Sequence, residues 1–396
     1  MQGHYLSSST YWLKWLVLFQ ALLLSSQLLA FQIAPLGSSF EAKLTNEPES
    51  TLAKVAGKLG ILIKGPVHEE VTELAYYCPT DLPALANDTQ CAQRDVPFAS
   101  AFVIYGVRWN DLPPFQLRTD EGRGCKKFLT SGPACNTSQT IRFSTQPECW
   151  YCIFTDAEKF TAKGGVIVGC QAGQVKGQGI SQGNMLSRSH YGDLQFLHSM
   201  AVRDAMPAEE TRGQILAWLE FAWKVSTGEI KATQKLAELV IPLMADRFSC
   251  SGWTVADLYI LGRQDKLLPR LTDIAFGSVL HTVQDSFSNS HTQRNANMEG
   301  FCAGDEKYRR PGNIIEFHSY GSQDGHLHDA EDQRTAMVSH VIENRAEAIA
   351  ASRMLVDLYR KPWVEVKPYV ECLFDLDAAA KPASPGEAYK RQSAIH

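Results

Sequence analysis

Apolar positions recur at helical spacing through most of the chain. The run 274–280 (Ile-Ala-Phe-Gly-Ser-Val-Leu) extends over 271–288 as a helix packed into a core. Residues 208–248 carry long helical patterns, with Ile215, Trp218, Leu219, Phe221, Ala222 and Trp223 on the first and 236–244 as the second. Val67, Val71, Leu74 and Ala75 share one helical face, and Pro66 suits a helix start. Helical character also marks 52–62, 189–200, 253–261 and 335–359, and 101–106 is an apolar segment. Between these, 120–185 changes character. Five cysteines, many glycines and short β-branched runs (140–143, 165–169) predict strands and loops stapled by disulfides. Residues 38–51 and 78–98 read as linker and loop. The Ala, Pro, Ser and Gly of 377–396 predict a disordered tail. The expected fold is mainly α, a multi-helix domain over 52–376 interrupted by a Cys/Gly-rich, partly β insertion at 120–185.

Polar residues interrupt the apolar helices in a repeated way. His281 and Asp285 stand one turn apart on the same face of the 271–288 helix. Continued helically, His291 would lie about 80° around the axis from His281. His328 and Asp332 repeat the one-turn spacing, whereas His326 would point away. Imidazoles with carboxylates suit a borderline-soft divalent ion, and Asp can bridge two. The plainer alternative for either stretch alone is a solvated helix with a capping serine. Together the two His-x-x-x-Asp units predict a multi-metal hydrolytic site. His68 opens a helix, Asp111 follows an apolar segment and precedes two prolines, and His190, Asp193 and His198 offer further ligands.

Composition narrows the setting. The 396 residues are 44% hydrophobic and 20% charged, enough for a sizeable core. A net charge of −5 gives no global basic field for nucleic acid. Lys14 followed by the apolar stretch 15–24 and small residues near 25–30 reads as a signal peptide over 1–30, hence secretion or a periplasmic location; an uncleaved anchor is the alternative. Ten cysteines, an even number, fit an oxidising compartment and a disulfide framework. Cys149-x-x-Cys152 has zinc-knuckle spacing but no second such pair.

Four motifs carry a resemblance. They are Arg-Trp-Asn-Asp at 108–111, His-Tyr-Gly-Asp-Leu-Gln-Phe-Leu-His at 190–198, His-Thr-Val-Gln-Asp-Ser-Phe-Ser-Asn-Ser-His at 281–291, and Leu-His-x-x-x-Asp at 327–332. With them the chain resembles bacterial zinc-dependent phospholipases C, within the superfamily that also holds single-strand-specific zinc nucleases, over roughly 68–332. The resemblance implies a helical fold with two or three zinc ions. Asp111, His198, His281 and Asp285 would hold one, His291, His328 and Asp332 a second, and His68 with bridging Asp285 a third. The superfamily completes that third site with an amino-terminal Trp, which no plausible cleavage here exposes near His68. His190 and Asp193 would be reserve ligands or orienting partners. Asp111, beside Asp285 the implied catalytic residue, would orient or deprotonate the attacking water. The serines at 286, 288 and 290 lack a triad's base arrangement and read as packing or capping residues. The implied activity is hydrolysis of a glycerophospholipid such as phosphatidylcholine at a membrane surface, giving diacylglycerol and a phosphorylated head group. A nuclease or phosphomonoesterase with the same metals is the alternative.

Overall fold

The computed structural model describes residues 67–77, 99–117, 125, 135, 139–143, 145–169, 180–249, 251–295, 300–302, 310–333, 336 and 347–391. The apolar periodicity resolves there into helices α1 (Val67–Tyr77), α2 (Ala101–Trp109), α3 (Pro147–Thr161), α4 (Met185–Tyr191), α5 (Ala208–Ser226), α6 (Pro242–Arg247), α7 (Val255–Ile260), α8 (Gln264–Leu267), α9 (Leu271–Asp285), α10 (Gly325–Glu331), α11 (Glu347–Leu358) and α12 (Trp363–Leu373). Two small sheets accompany them. Strands β1 (Val166–Val168) and β2 (Ile180–Gln182) run parallel, while β3 (Thr292–Arg294) and β4 (Ile314–Phe317) run antiparallel with Thr292 opposite Phe317. The protein is thus mainly α, as its periodicity predicts.

Helix α9 is the axis of the fold. Thirteen of its fifteen residues are buried, and it packs against α1, α2, α5, α7 and α11. Such a helix needs neighbours that come close, and two glycines allow this. A Cβ on Gly106 of α2 would fall 2.0 Å from the Ile274 carbonyl oxygen, and one on Gly277 of α9 would fall 2.1 Å from that of Val103. Ser100 caps α2 by accepting the Val103 N–H, so the helix starts in register with that crossing. Beyond the crossing Asn110 stitches three elements. Its amide donates to the Leu197 carbonyl at 2.8 Å and to Thr282 Oγ1 at 3.1 Å, and its oxygen accepts from Ser278 at 2.6 Å. Backbone approach and side-chain stitching together place Asp111 beside the last turn of α9.

Several expectations are corrected. The partly β 120–185 insertion is not built of strands and loops alone, because 147–161 forms helix α3, with Cys149, Trp150, Ile153 and Phe154 buried in the core. Disulfides Cys125–Cys152 and Cys135–Cys149 fasten the start of the insertion to its helix α3, which excludes a knuckle at Cys149 and Cys152. A third disulfide joins Cys302 to Cys372 at the end of α12. Cys78, Cys91, Cys170 and Cys250 lie outside the described residues, as do the 1–30 leader, the 38–51 linker, the 52–62 helix and His340, which the 335–359 pattern makes a structural residue.

The 236–244 pattern is no long helix. It divides into a 3-10 turn (Leu236–Glu238) and α6, whose start is set by Pro242. The 377–396 segment is not a disordered tail as far as Arg391. Ser319 N–H donates to the Ser384 carbonyl and Asp324 N–H to that of Tyr389, while Ala383 is buried. Gly386 packs where a Cβ would sit 2.6 Å from the His318 ring. Backbone pairing against β4 and the segment after it orders a stretch whose composition carries few apolar side chains. Among the described residues no helix is long and apolar enough to cross a membrane.

Candidate metal centre

All eight expected ligands are buried, and they form one contiguous cluster. His68 comes from the first turn of α1, Asp111 from the turn after α2, and His198 from the 3-10 helix Gln195–His198. His281 and Asp285 lie on α9, His328 on α10, and Asp332 directly follows α10. His291 is not on a continued helix. Helix α9 ends at Asp285, and a turn closed by the His291 N–H to Ser288 carbonyl bond delivers His291 to the start of β3. The expected helical offset from His281 is therefore incorrect, although the residue arrives at the cluster.

Three donor atoms make the tightest group. His198 Nδ1, His281 Nε2 and Asp285 Oδ2 are separated by 2.9, 3.0 and 3.2 Å. Donors at the usual zinc distance of about 2.0–2.1 Å in a tetrahedron stand roughly 3.3 Å apart. Asp111 Oδ1 faces this triangle at 3.7 Å from His198 and 4.0 Å from His281. On the other side of Asp285, His68 Nε2 approaches Oδ1 at 3.2 Å. A second group joins His328 Nε2 to Asp332 Oδ2 at 3.0 Å, with His291 Nε2 at 3.9 Å from Asp332 Oδ1.

Protons alone do not satisfy this arrangement. His281 gives its Nδ1–H to the Val107 carbonyl at 2.6 Å, and His291 gives its own to the His198 carbonyl at 2.6 Å. His68 Nδ1 donates to Gln284 Oε1 at 2.6 Å, and His328 Nδ1 to Gln323 Oε1 at 2.7 Å. Each ring, when neutral, is then the tautomer whose Nε2 lone pair faces inward. For His68, His281 and His328 that lone pair meets a carboxyl oxygen within 3.2 Å, which is repulsive between a neutral ring and a carboxylate unless a proton or a metal cation lies between them. Both Asp111 oxygens and the Nε2 atoms of His190, His198 and His291 have no hydrogen-bond partner at all. Leaving such groups buried costs several kcal/mol for a charge and about 1–3 kcal/mol for a neutral polar atom. Oxygen and imidazole donors in this number fit borderline divalent ions, and the geometry accommodates them.

Titration follows the same physics. Burial holds the His68, His198 and His328 imidazoles at about 4, the neutral form a metal requires. Burial also lowers His190 and His291. It pushes Asp111 well above the carboxylate range, helped by the charges of Asp285 and Asp332, and pushes Asp332 up to about 8. Asp285 feels the same burial, but His281 and His291 outweigh it and hold its carboxyl well below the ordinary value.

Sequence reasoning missed the groups that orient the ligands. Gln323 donates both amide hydrogens, to the Ser290 carbonyl at 2.7 Å and the Pro385 carbonyl at 2.8 Å, so its oxygen must face His328. Gln284 donates to Thr72 and Ser352 and turns its oxygen to His68. Ser288 and Ser290 hydroxyls donate to Asp332 Oδ1 at 2.7 and 3.2 Å, which gives those serines a polar role beyond packing. Ser199, at φ 54°, makes the left-handed turn after His198 and donates to the Thr282 carbonyl at 2.6 Å. The Gln preceding Asp285 was the one visible signal. Asp193 does not reach the cluster, because Arg188 grips its carboxylate at 2.8 and 2.9 Å. His326 is exposed, as its helical position predicts. A small cavity lined by Ser189, His190, Gln195, His198, Met200, His291, Tyr320 and His328 opens onto the cluster.

Comparison with protein-family models, with curated proteins and with solved structures gave no match for this chain.

Proposed function

We propose that this protein is a metal-dependent phosphoric diester hydrolase of the phospholipase C type, using two or three zinc ions. The observation that carries the reading is the set of inward Nε2 lone pairs held within 3.2 Å of buried carboxylates, which calls for cations. His291, His328 and Asp332 would hold one ion, and His198, His281 and Asp285 with the facing Asp111 another, with His68 and Asp285 at a third. Bound zinc would lower the pKa of a water to about 7 and polarise phosphoryl oxygens. The chain's own contribution is placement. Asp111, with neither oxygen hydrogen-bonded, is the group suited to orient the attacking water and accept its proton. Backbone carbonyls and the two glutamines keep the imidazoles of His68, His281, His291 and His328 fixed, so little reorganisation is needed when charge develops on phosphorus.

The substrate reading rests on the motif resemblance and the net charge of −5, which lacks the basic footprint of sequence-independent polyanion binding. Leu327, next to His328, is 44% exposed and gives this part of the site an apolar neighbour. The test offers phosphatidylcholine vesicles and single-stranded DNA to the zinc-loaded protein in parallel. Release of phosphocholine without DNA cleavage is expected. DNA cleavage with inert vesicles would place the protein among the nucleases instead.

A further inference from the structure

His190 belongs to none of the ligand sets that the motif pattern implies, yet it is built as they are. Its ring is buried and meets Phe154 edge-on at 5.1 Å. Its Nδ1 lies 3.0 Å from the Leu186 carbonyl, one helical turn back, and 2.9 Å from Ser189 Oγ. The Ser189 hydroxyl itself donates to the Leu186 carbonyl at 3.1 Å. Both neighbours of Nδ1 therefore act as acceptors, and Nδ1 must carry the ring proton. That leaves the Nε2 lone pair aimed inward, as in His281 and His291, and Nε2 has no hydrogen-bond partner.

The atom it faces is Asp111 Oδ1, at 3.9 Å. Three imidazole nitrogens surround that one oxygen at nearly equal range: His198 at 3.7 Å, His190 at 3.9 Å and His281 at 4.0 Å. These separations are too long for hydrogen bonds and match donors sharing an ion between them, since two ligands about 2.0–2.1 Å from one ion stand roughly 3.3–4.1 Å apart as their angle opens from tetrahedral to linear. A purely structural histidine at this place would be expected to use both nitrogens, because an unpartnered buried nitrogen is costly.

We infer that His190 Nε2 is a metal ligand, completing with Asp111 and His198 a donor set at the end of the cluster that faces the cavity. The inference rests on the metal-hydrolase reading. It raises the side-chain donors in the cluster to nine. Catalytic zinc sites commonly use three protein donors and keep one position open.

The test replaces His190 with Phe, which matches the ring in shape, removes the donor and lies beside Phe154, so that the fold survives. His190→Gln serves as the second variant. Purified wild type and variants are stripped with chelator, titrated with zinc or cobalt(II), and followed by metal content and by the cobalt absorption spectrum. Unfolding midpoints of the stripped proteins report the fold. The expected result is a stripped His190→Phe protein as stable as wild type or more so. It should have one metal position weakened at least tenfold and an altered cobalt spectrum, while the remaining occupancy persists. Unchanged affinity and spectrum in both variants would overturn the assignment, including the case in which only turnover falls, which would make His190 a proton donor. A wild-type protein that binds no metal would instead overturn the hydrolase reading on which the inference stands.

Discussion

Replacing Asp111 with Asn should change stability in opposite directions with and without metal. The side chain is fully buried and neither oxygen has a hydrogen-bond partner. In the metal-free protein burial raises its pKa well above the ordinary range, so folding either buries an unpaired charge or holds a proton against solution. Asn keeps the shape and removes the charge. It exchanges a cost of several kcal/mol for that of an unpaired amide, about 1–3 kcal/mol, and metal-free stability should rise by roughly 1–3 kcal/mol at pH 7–8. With zinc the sign reverses. Loss of an anionic ligand that weakens binding about a hundredfold removes about 2.7 kcal/mol of ligand-linked stabilisation. Denaturant unfolding of wild type and Asp111→Asn, each chelated and each zinc-saturated, gives the four values needed. A variant less stable than wild type in both states would refute the reasoning, because Asp111 would then hold ordinary structural partners rather than await a cation.

Three further outcomes follow from other residues. Gln323→Glu cannot donate to the Ser290 and Pro385 carbonyls. It should cost on the order of 2–4 kcal/mol and weaken zinc at His291, His328 and Asp332 by about 10–100-fold, read by unfolding and by metal titration. Gly106→Ala sets a Cβ against the Ile274 carbonyl and must part α2 from α9. A loss of at least about 1–3 kcal/mol, with reduced metal content, is expected in the same assays. In the metal-free protein, His68, His198 and His328 titrate at about 4 folded against 6.5 unfolded, so their contribution is complete above pH 6.5 and is lost as pH falls towards 4. Asp332 titrates at about 8 folded against 3.8 unfolded, so its contribution holds below 3.8 and is lost as pH rises through 8. Three protons outweigh one on the acid side, and metal-free stability should peak near pH 6.5, which thermal unfolding across pH 4–9 will show.

The sequence made the helical class and the two His/Asp pairs legible because both depend on local spacing. His281 and Asp285 lie one turn apart on an uninterrupted apolar helix, and the structure keeps them there with nitrogen and oxygen 3.0 Å apart. His328 and Asp332 keep the same relation at 3.0 Å even though Asp332 has left the helix. What failed was anything set by distant partners. A helical wheel could not place His291, because its ring is aimed by the His198 carbonyl, 93 positions away. The direction of His190 depends on which acceptor takes its Nδ1–H, and residue type does not specify that. Gln323 was invisible because both its donors act on carbonyls elsewhere in the chain. One of these belongs to Pro385, in a segment whose composition suggested disorder. Its order comes from backbone pairing with residues around β4, which composition does not encode.

Metal content is the most direct test of the account. Protein purified without chelator should contain two to three equivalents of zinc by elemental analysis, lose them with its phosphatidylcholine hydrolysis on chelation, and recover both when zinc is returned. Full hydrolysis by metal-free protein, or a folded protein that takes up no divalent ion, would contradict it.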